Sequence, residues 1–216
     1  MRGRVLIVAG SDSGGGAGIQ ADIKTVTALG GFSMTAITAL TAQNTLGVHD
    51  VLPVEIDFIQ TQMRVVLNDL GADCIKTGML NNSDVIDAVC DIRETVAAGI
   101  PFVVDPVMVA KGGAPLLEVD AVSTIRDRLL PQANVITPNI PEAETLLGTT
   151  IRGLDDMKSS AEALIEMGPD AVLIKGGHID GNMLTDVLLD VDGFHLFETE
   201  RIDTVHTHGT GCTMAS

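Results

Sequence analysis

Short apolar runs alternate with helical stripes along this chain. Residues 5–9 are wholly apolar and end at Gly10, the pattern of a strand buried on both faces. Ile19, Ile23, Val26 and Leu29 then recur at helical spacing until Gly30-Gly31 ends the helix. Residues 34–42 and 48–54 read as β-like, parted by the turn residues Gln43, Asn44 and Gly47, and predict a small ribbon beside a main sheet. Asp57 is expected to cap a helix carrying Phe58, Ile59, Met63, Val66 and Leu70 on one stripe. A short strand at 74–77 precedes a helix capped by Ser83, with Val85, Ile86, Val89, Ile92 and Val96 on its apolar side. After a strand at 102–105, Val119, Val122, Ile125 and Leu129 mark a helix closed by Pro131. A strand at 135–137 leads to a short helix opening at Pro141 and running through Leu147. Asp155 or Asp156 starts the next helix, and a strand follows at 171–175. Runs at 184–189 and 194–198 flank Asp192-Gly193, a hairpin signal. Strands alternating with helices predict one α/β domain over residues 1–216 with a mainly parallel sheet.

Composition narrows the setting. Met1-Arg2-Gly3-Arg4 before the apolar run at 5–9 mimics a signal peptide, but Gly10 and Asp12 cut it short and a first strand is the better reading. No apolar run is long enough to span a bilayer. Three widely spaced cysteines argue against a disulfide framework or a CxxC metal site and fit a reducing cytoplasm. The formal charge is −16, so phosphate backbones are repelled and nucleic acid is an unsuitable partner. An anionic small molecule would need local cations, which makes each Lys beside a Gly-rich turn a candidate.

Such turns fall just after strands, where ligands of open α/β sheets gather. Gly10 to Gly18 follows the first strand, in a phosphate-loop outline that lacks the Gly-Lys-Ser/Thr ending of a Walker loop; a substrate-covering loop is an equal reading. Asp105 follows a strand directly, Asn139 and Glu142 lie just past the next, and Lys175 ends a third. Gly209-Thr210-Gly211-Cys212 follows the hairpin, and the small residues from Thr213 to Ser216 read as a first helical turn. Backbone N–H groups there could hold an anion, and Cys212 at the positive end of a helix dipole is expected to have a lowered thiol pKa. Each residue also has a plain alternative: a turn Asp before Pro, a first-turn Glu, a solvated Lys, an inert Cys. Together they supply what phosphoryl transfer needs: carboxylates for Mg²⁺, a Lys for phosphates and a backbone anion pocket.

These motifs resemble the ribokinase superfamily, and more closely its hydroxymethylpyrimidine/phosphomethylpyrimidine kinases of thiamine biosynthesis. The likeness runs the whole chain, through Ala9-Gly10-Ser11-Asp12, Ala42-Gln43-Asn44-Thr45, Lys76-Thr77-Gly78-Met79-Leu80, Asp105-Pro106-Val107-Met108, Lys175-Gly176-Gly177-His178 and His208-Gly209-Thr210-Gly211-Cys212-Thr213. It implies a three-layer α/β/α sandwich with a mainly parallel central sheet and a small β ribbon that helps form a homodimer. It implies transfer of the ATP γ-phosphoryl to a hydroxymethylpyrimidine and then to its monophosphate. Gln43 and Asp22 would then meet the pyrimidine, with Gly10, Met79 and Val107 beside it. Lys175, Asn139 and Thr213 would serve ATP, and Asp105 and Glu142 would serve Mg²⁺. Gly209, Thr210 and Gly211 would line the anion pocket, and Cys212 would remove the hydroxyl proton; in-line transfer needs no covalent nucleophile.

Family members continue past Ser216 through helices that pack the sheet and help bind adenine, so the chain reads as truncated at its C-terminus. Two rivals share much of this pattern: a pyridoxal kinase of the same superfamily, and a non-catalytic pyrimidine-binding module. A dinucleotide-dependent oxidoreductase fits less well, because no acidic residue stands at the right place after the first glycines.

Overall fold

The computed structural model describes residues 3–109, 116–118, 120–179, 181–204 and 207–216; Met1, Arg2 and the expected helical Val119 lie outside them. The chain opens with β1 (Arg4–Asp12), α1 (Gly18–Ala28), β2 (Phe32–Asn44), β3 (Gly47–Pro53) and α2 (Ile56–Asp69). Then come β4 (Cys74–Thr77), α3 (Ser83–Thr95), β5 (Phe102–Val104) and α4 (Ala121–Thr124), the last continuing as a π turn and a 3₁₀ turn to Gln132. β6 (Val135–Ile136), α5 (Ile140–Leu147), α6 (Leu154–Ile165) and β7 (Ala171–Ile174) follow. The hairpin β8 (Met183–Asp190) and β9 (Gly193–Glu200) and the short α7 (Thr210–Met214) complete it.

Nine strands of the described residues share one sheet in the order β3-β2-β1-β4-β5-β6-β7-β8-β9. The six from β2 to β7 in that order are parallel; β3 and β8 run against them at the two sides, and β9 pairs antiparallel with β8. The expected ribbon is therefore one margin of the sheet: β2 pairs with β1 along its inner edge and with β3 along its outer edge.

The burial of β1 explains the layers. Leu6, Ile7, Val8 and Ala9 are each fully buried, as a central parallel strand requires. Leu6 and Val8 join the large core built with α2 through α6, whereas Ile7 and Ala9 pack with Ile19 of α1 on the opposite face. Five helices cover one side; α1, with α7 against it, covers part of the other. On that second side Val103, Val135, Ala171 and Leu173 are half-buried.

Several local expectations shift by a residue or two. Asn82, not Ser83, caps α3, its side chain accepting from Val85 N. Glu55 precedes α2 and Asp57 sits in the first turn without capping it. Of the predicted α2 stripe, Ile59 and Met63 are buried while Phe58 and Leu70 face solvent. The hairpin turn is Val191-Asp192, since Gly193 already pairs with Asp190. β1 continues through Gly10 and Ser11 to Asp12, residues read from sequence as loop. The chain passes from β1 to β2 on one side and returns to β4 on the other, which makes the carboxyl end of β1 the switch point where such sheets bind ligands.

Candidate active site

At that switch point Asp12 organises the first glycine loop. It is 3% exposed, and its carboxylate accepts from the backbone N–H of Gly14 (2.7 Å), Gly16 (3.0 Å) and Ala17 (2.8 Å). Its fourth partner comes from the other end of the sequence: His208 Nε2, at 2.8 Å. Burial alone would push the Asp12 carboxyl up, but His208 and the three N–H groups together hold it below the usual range. The two glycine segments also touch backbone to backbone. A Cβ on Gly16 would overlap the His208 ring, and one on Gly209, whose φ is +80°, would overlap the Gly16 carbonyl.

Two buried lysines stand beside these loops. Lys76, at the end of β4, is 2% exposed and bonds both carboxylate oxygens of Asp22 on α1, at 2.9 and 2.8 Å. Breaking such a pair from one side costs about 3–5 kcal/mol, because the survivor is a buried charge. Lys175, just past β7, bonds Asp105 Oδ1 at 2.9 Å, and Thr137 Oγ1 donates to the same oxygen at 3.2 Å. Glu142 closes a capping box at the start of α5: its Oε2 accepts from Asn139 N at 2.8 Å, and Asn139 Oδ1 accepts from Glu142 N at 2.9 Å. Burial first, and then the charge of Asp105, push the Glu142 carboxyl to about 7 against the pull of Lys175. Burial would lower the Lys175 ammonium, yet Asp105 and Glu142 outweigh it and hold it raised.

A single cavity of about 1190 Å³ joins these groups. Gly10, Gln43, Met79 and Val107 line it, as do Asp105, Asn139, Glu142, Lys175 and the turn Gly209-Thr210-Gly211-Cys212. Gln43 is pinned to the first loop: its N–H donates to Ser13 Oγ at 2.8 Å, and its side-chain oxygen accepts from Thr41 Oγ1 at 3.2 Å. Two expected site residues lie elsewhere. Asp22 is fully buried behind Lys76 and does not line the cavity, so its contact is with the lysine. Thr213 is exposed on α7, outside the lining, its N–H donating to Gly209 O at 3.0 Å.

The expectation of an acidic Cys212 is also corrected. α7 starts at Thr210 and has only five residues, so its dipole is small. Burial, with Asp105 and Asp22 nearby, pushes the thiol up; Lys76 and the Gly18 N–H work in the other direction without prevailing.

Sequence reasoning passed over Lys76, Asp12 and His208 as site residues, although all three line the cavity. Their signal was present: a charged residue inside a buried strand must have a partner, and an Asp before a run of glycines faces several free N–H groups.

The two carboxylates of Asp105 and Glu142 balance against one ammonium, which leaves a negative excess that suits a divalent cation. Among the described residues no group of three His, Cys, Asp or Glu is arranged to hold a metal alone. An ion here would take its remaining ligands from water and phosphate, the usual habit of Mg²⁺.

A family model described as phosphomethylpyrimidine kinase matches residues 12–216. The chain is 53% identical over 215 residues to the hydroxymethylpyrimidine/phosphomethylpyrimidine kinase of Bacillus subtilis, covering 99% of this chain and 79% of that protein. It is 46% identical over 212 residues to the protein of that name from Escherichia coli, covering 98% of this chain and 79% of that protein. Among solved structures, phosphomethylpyrimidine kinase from Clostridium difficile superposes with a TM-score of 0.84 at 42% identity, over 91% of this chain and 84% of that one. A Bacillus subtilis pyridoxal kinase in an ADP complex superposes at 0.89 with 38% identity, over 98% and 80%. With a ribokinase-like fold, a shared cavity at its switch point and these matches across nearly its whole length, the chain belongs to the phosphomethylpyrimidine kinase family.

Proposed function

We infer that the cavity carries out phosphoryl transfer: the chain is a hydroxymethylpyrimidine/phosphomethylpyrimidine kinase of thiamine biosynthesis, using ATP. The observation that carries this reading is the meeting of Gln43, Cys212 and the Lys175–Asp105–Glu142 cluster in one cavity. Gln43 presents an amide, with donor and acceptor, to the edge of a pyrimidine that carries a ring nitrogen and an amino group. Gly10, Met79 and Val107 supply surface on either side of such a ring. Lys175 stands where its ammonium can neutralise transferring phosphate; a Cβ on Gly211 would lie only 3.4 Å from its Nζ. The Gly209–Cys212 turn lines the same space, and its backbone N–H groups would be the donors for an anion there. Asn139 orients Glu142 through the capping box and so fixes one carboxylate of the metal pair. Mg²⁺ held by Asp105 and Glu142 would neutralise charge on the phosphate oxygens.

We assign proton removal from the substrate hydroxyl to Cys212. Its raised thiol means that the reactive form gains population as pH climbs above neutral, with the Lys76 charge and the Gly18 N–H favouring the thiolate. The homodimer expected from the family is supported by the β2–β3 margin, where Leu52 on the outer strand and Leu46 in the turn before it are 65% and 85% exposed. No helix of the described residues is long and apolar enough to cross a membrane. Three free cysteines suit a reducing cytoplasm.

Solved pyridoxal kinases share the fold, including one from Staphylococcus aureus in complex with AMP-PCP and pyridoxal at 36% identity. The assay that decides is ADP release with Mg²⁺ and ATP, offered 4-amino-5-hydroxymethyl-2-methylpyrimidine, its monophosphate or pyridoxal. A higher kcat/KM for the two pyrimidines is expected. Preference for pyridoxal would move the assignment to that vitamin, and pyrimidine binding without turnover would leave only a binding module.

A further inference from the structure

We propose that Lys76 holds the phosphate of the monophosphate acceptor during the second phosphorylation, and that Cys212 is required for proton removal only in the first. The inference rests on the kinase reading above and divides its two steps between two side chains of one cavity.

The two lysines of the cavity differ in what surrounds them. Lys175 stands among carboxylates that line the cavity with it, Asp105 and Glu142, on the side assigned above to the transferring phosphate. Lys76 also lines the cavity, but its partner Asp22 does not. The pair therefore sets its lysine on the cavity wall and its carboxylate behind that wall. Asp22 takes two of the three N–H donors of an ammonium, which leaves one for a ligand. Lys76 is thus a cation of the cavity wall whose bonded carboxylate lies outside the lining, whereas Lys175 is bonded to a carboxylate within it.

Its position is tied to that of Cys212. Ser216 Oγ lies 2.8 Å from Asp22 Oδ1 and 2.7 Å from the carbonyl oxygen of Cys212, so one hydroxyl links the ion pair to the turn that carries the thiol. Lys76 and Cys212 both line the cavity, close enough for the charge of one to act on the thiol of the other, and an acceptor bound between them would meet both.

The two transfers ask for different help there. In the first, the hydroxymethyl oxygen attacks the γ-phosphorus, the bond to the leaving ADP breaks with its electron pair, and the hydroxyl proton passes to the Cys212 sulfur. In the second, the attacking atom is a phosphate oxygen. A phosphate monoester has a second pKa of about 6 and is largely dianionic at neutral pH. It forms the new P–O–P link as ADP leaves, with no proton to remove. Its difficulty is charge: a dianion approaches ATP in a chain of formal charge −16. A buried ammonium at the acceptor position answers that need, and a base does not.

The test compares kcat/KM for the alcohol and for the monophosphate, at saturating Mg²⁺ and ATP, in four proteins. In the double variant Lys76→Gln with Asp22→Asn, both charges go together and no uncompensated ion remains. It is expected to lose about 10- to 100-fold more on the monophosphate than on the alcohol. Asp22→Asn alone frees the ammonium and is expected to shift the ratio the opposite way, lowering KM for the monophosphate relative to the alcohol. Cys212→Ser is expected to lose far more on the alcohol. Equal losses on both acceptors in the double variant, or a ratio unmoved by Asp22→Asn, overturn the inference and leave Lys76 a structural ion pair. A wild-type protein that phosphorylates neither compound overturns the kinase reading itself, and this inference with it.

Discussion

Cys212 shows how far a local rule carries at the scale of one residue. A thiol opening a helix ought to be acidic, but burial outweighs a dipole of a single turn. The sign of the pH dependence follows. Turnover of the alcohol is expected to rise with pH above neutrality as the thiolate forms, and Cys212→Ser is expected to flatten that limb and cut kcat by about 10²–10⁴-fold. A pH profile that is already level at neutral pH would remove Cys212 from the role of base. Gln43→Ala tests the ring contact: a loss of about 1–3 kcal/mol in pyrimidine binding, measured by calorimetry, with ATP binding little changed. Equal weakening of both ligands would place the amide elsewhere. Glu142→Gln keeps both hydrogen bonds of the capping box while removing a charge, so it is expected to raise the Mg²⁺ concentration for half-maximal rate with a small change in melting temperature. An unchanged Mg²⁺ titration would make Glu142 a helix cap only.

At the scale of elements, the site depends on two loops that meet at glycines, with the His208 ring against one of them. Gly16 and Gly209 are each close-packed against the opposite segment, and Gly209 also needs a left-handed backbone. Gly209→Ala is expected to cost at least about 1–2 kcal/mol from that backbone conformation alone. The overlap with Gly16 should add to this and displace the Cys212 turn, so melting temperature and kcat fall together. Gly153 precedes α6 with an extended backbone and open space around its Cβ position. Gly153→Ala is the matched control and should leave kcat unaltered; equal effects of the two changes would show that glycine entropy, not the loop contact, is being measured. The caps of α2 and α3 carry a related lesson. Asn82 was within one residue of the Ser83 expected from sequence, because either side chain can accept from the first turn and only the entry angle of the chain selects between them.

For the whole molecule, Asp12 and His208 join the first loop to the last across 196 residues, so their contact reports on closure of the fold. The Asp12 carboxyl is held below its ordinary value, so its contribution to stability is present above that value and is lost as pH falls through the folded one. Melting temperature followed downward from neutral pH should drop less steeply in Asp12→Asn than in the wild type; parallel curves would show that the contact contributes nothing to acid stability. Much of the architecture was written in one dimension. The apolar run in β1, the stripe in α3 and the hairpin turn residues state which positions must leave water, and a polymer can meet those demands only with a layered α/β fold. Twelve of the residues singled out from motifs do line one cavity, because ligand loops follow strand ends in any such sheet. What periodicity could not express was partnership. Lys76 finds Asp22 54 residues earlier in the sequence, and Lys175 finds Asp105 70 residues earlier, because the sheet sets β4 beside β1, on which α1 packs, and brings the ends of β5 and β7 to either side of β6. The sequence by itself determined the elements, the fold class and the place of the site. The tertiary structure alone decided which charges face each other, which way the Cys212 thiol shifts and which of the two lysines keeps its carboxylate out of the cavity, since each of these depends on distance and burial and neither quantity is local to the chain.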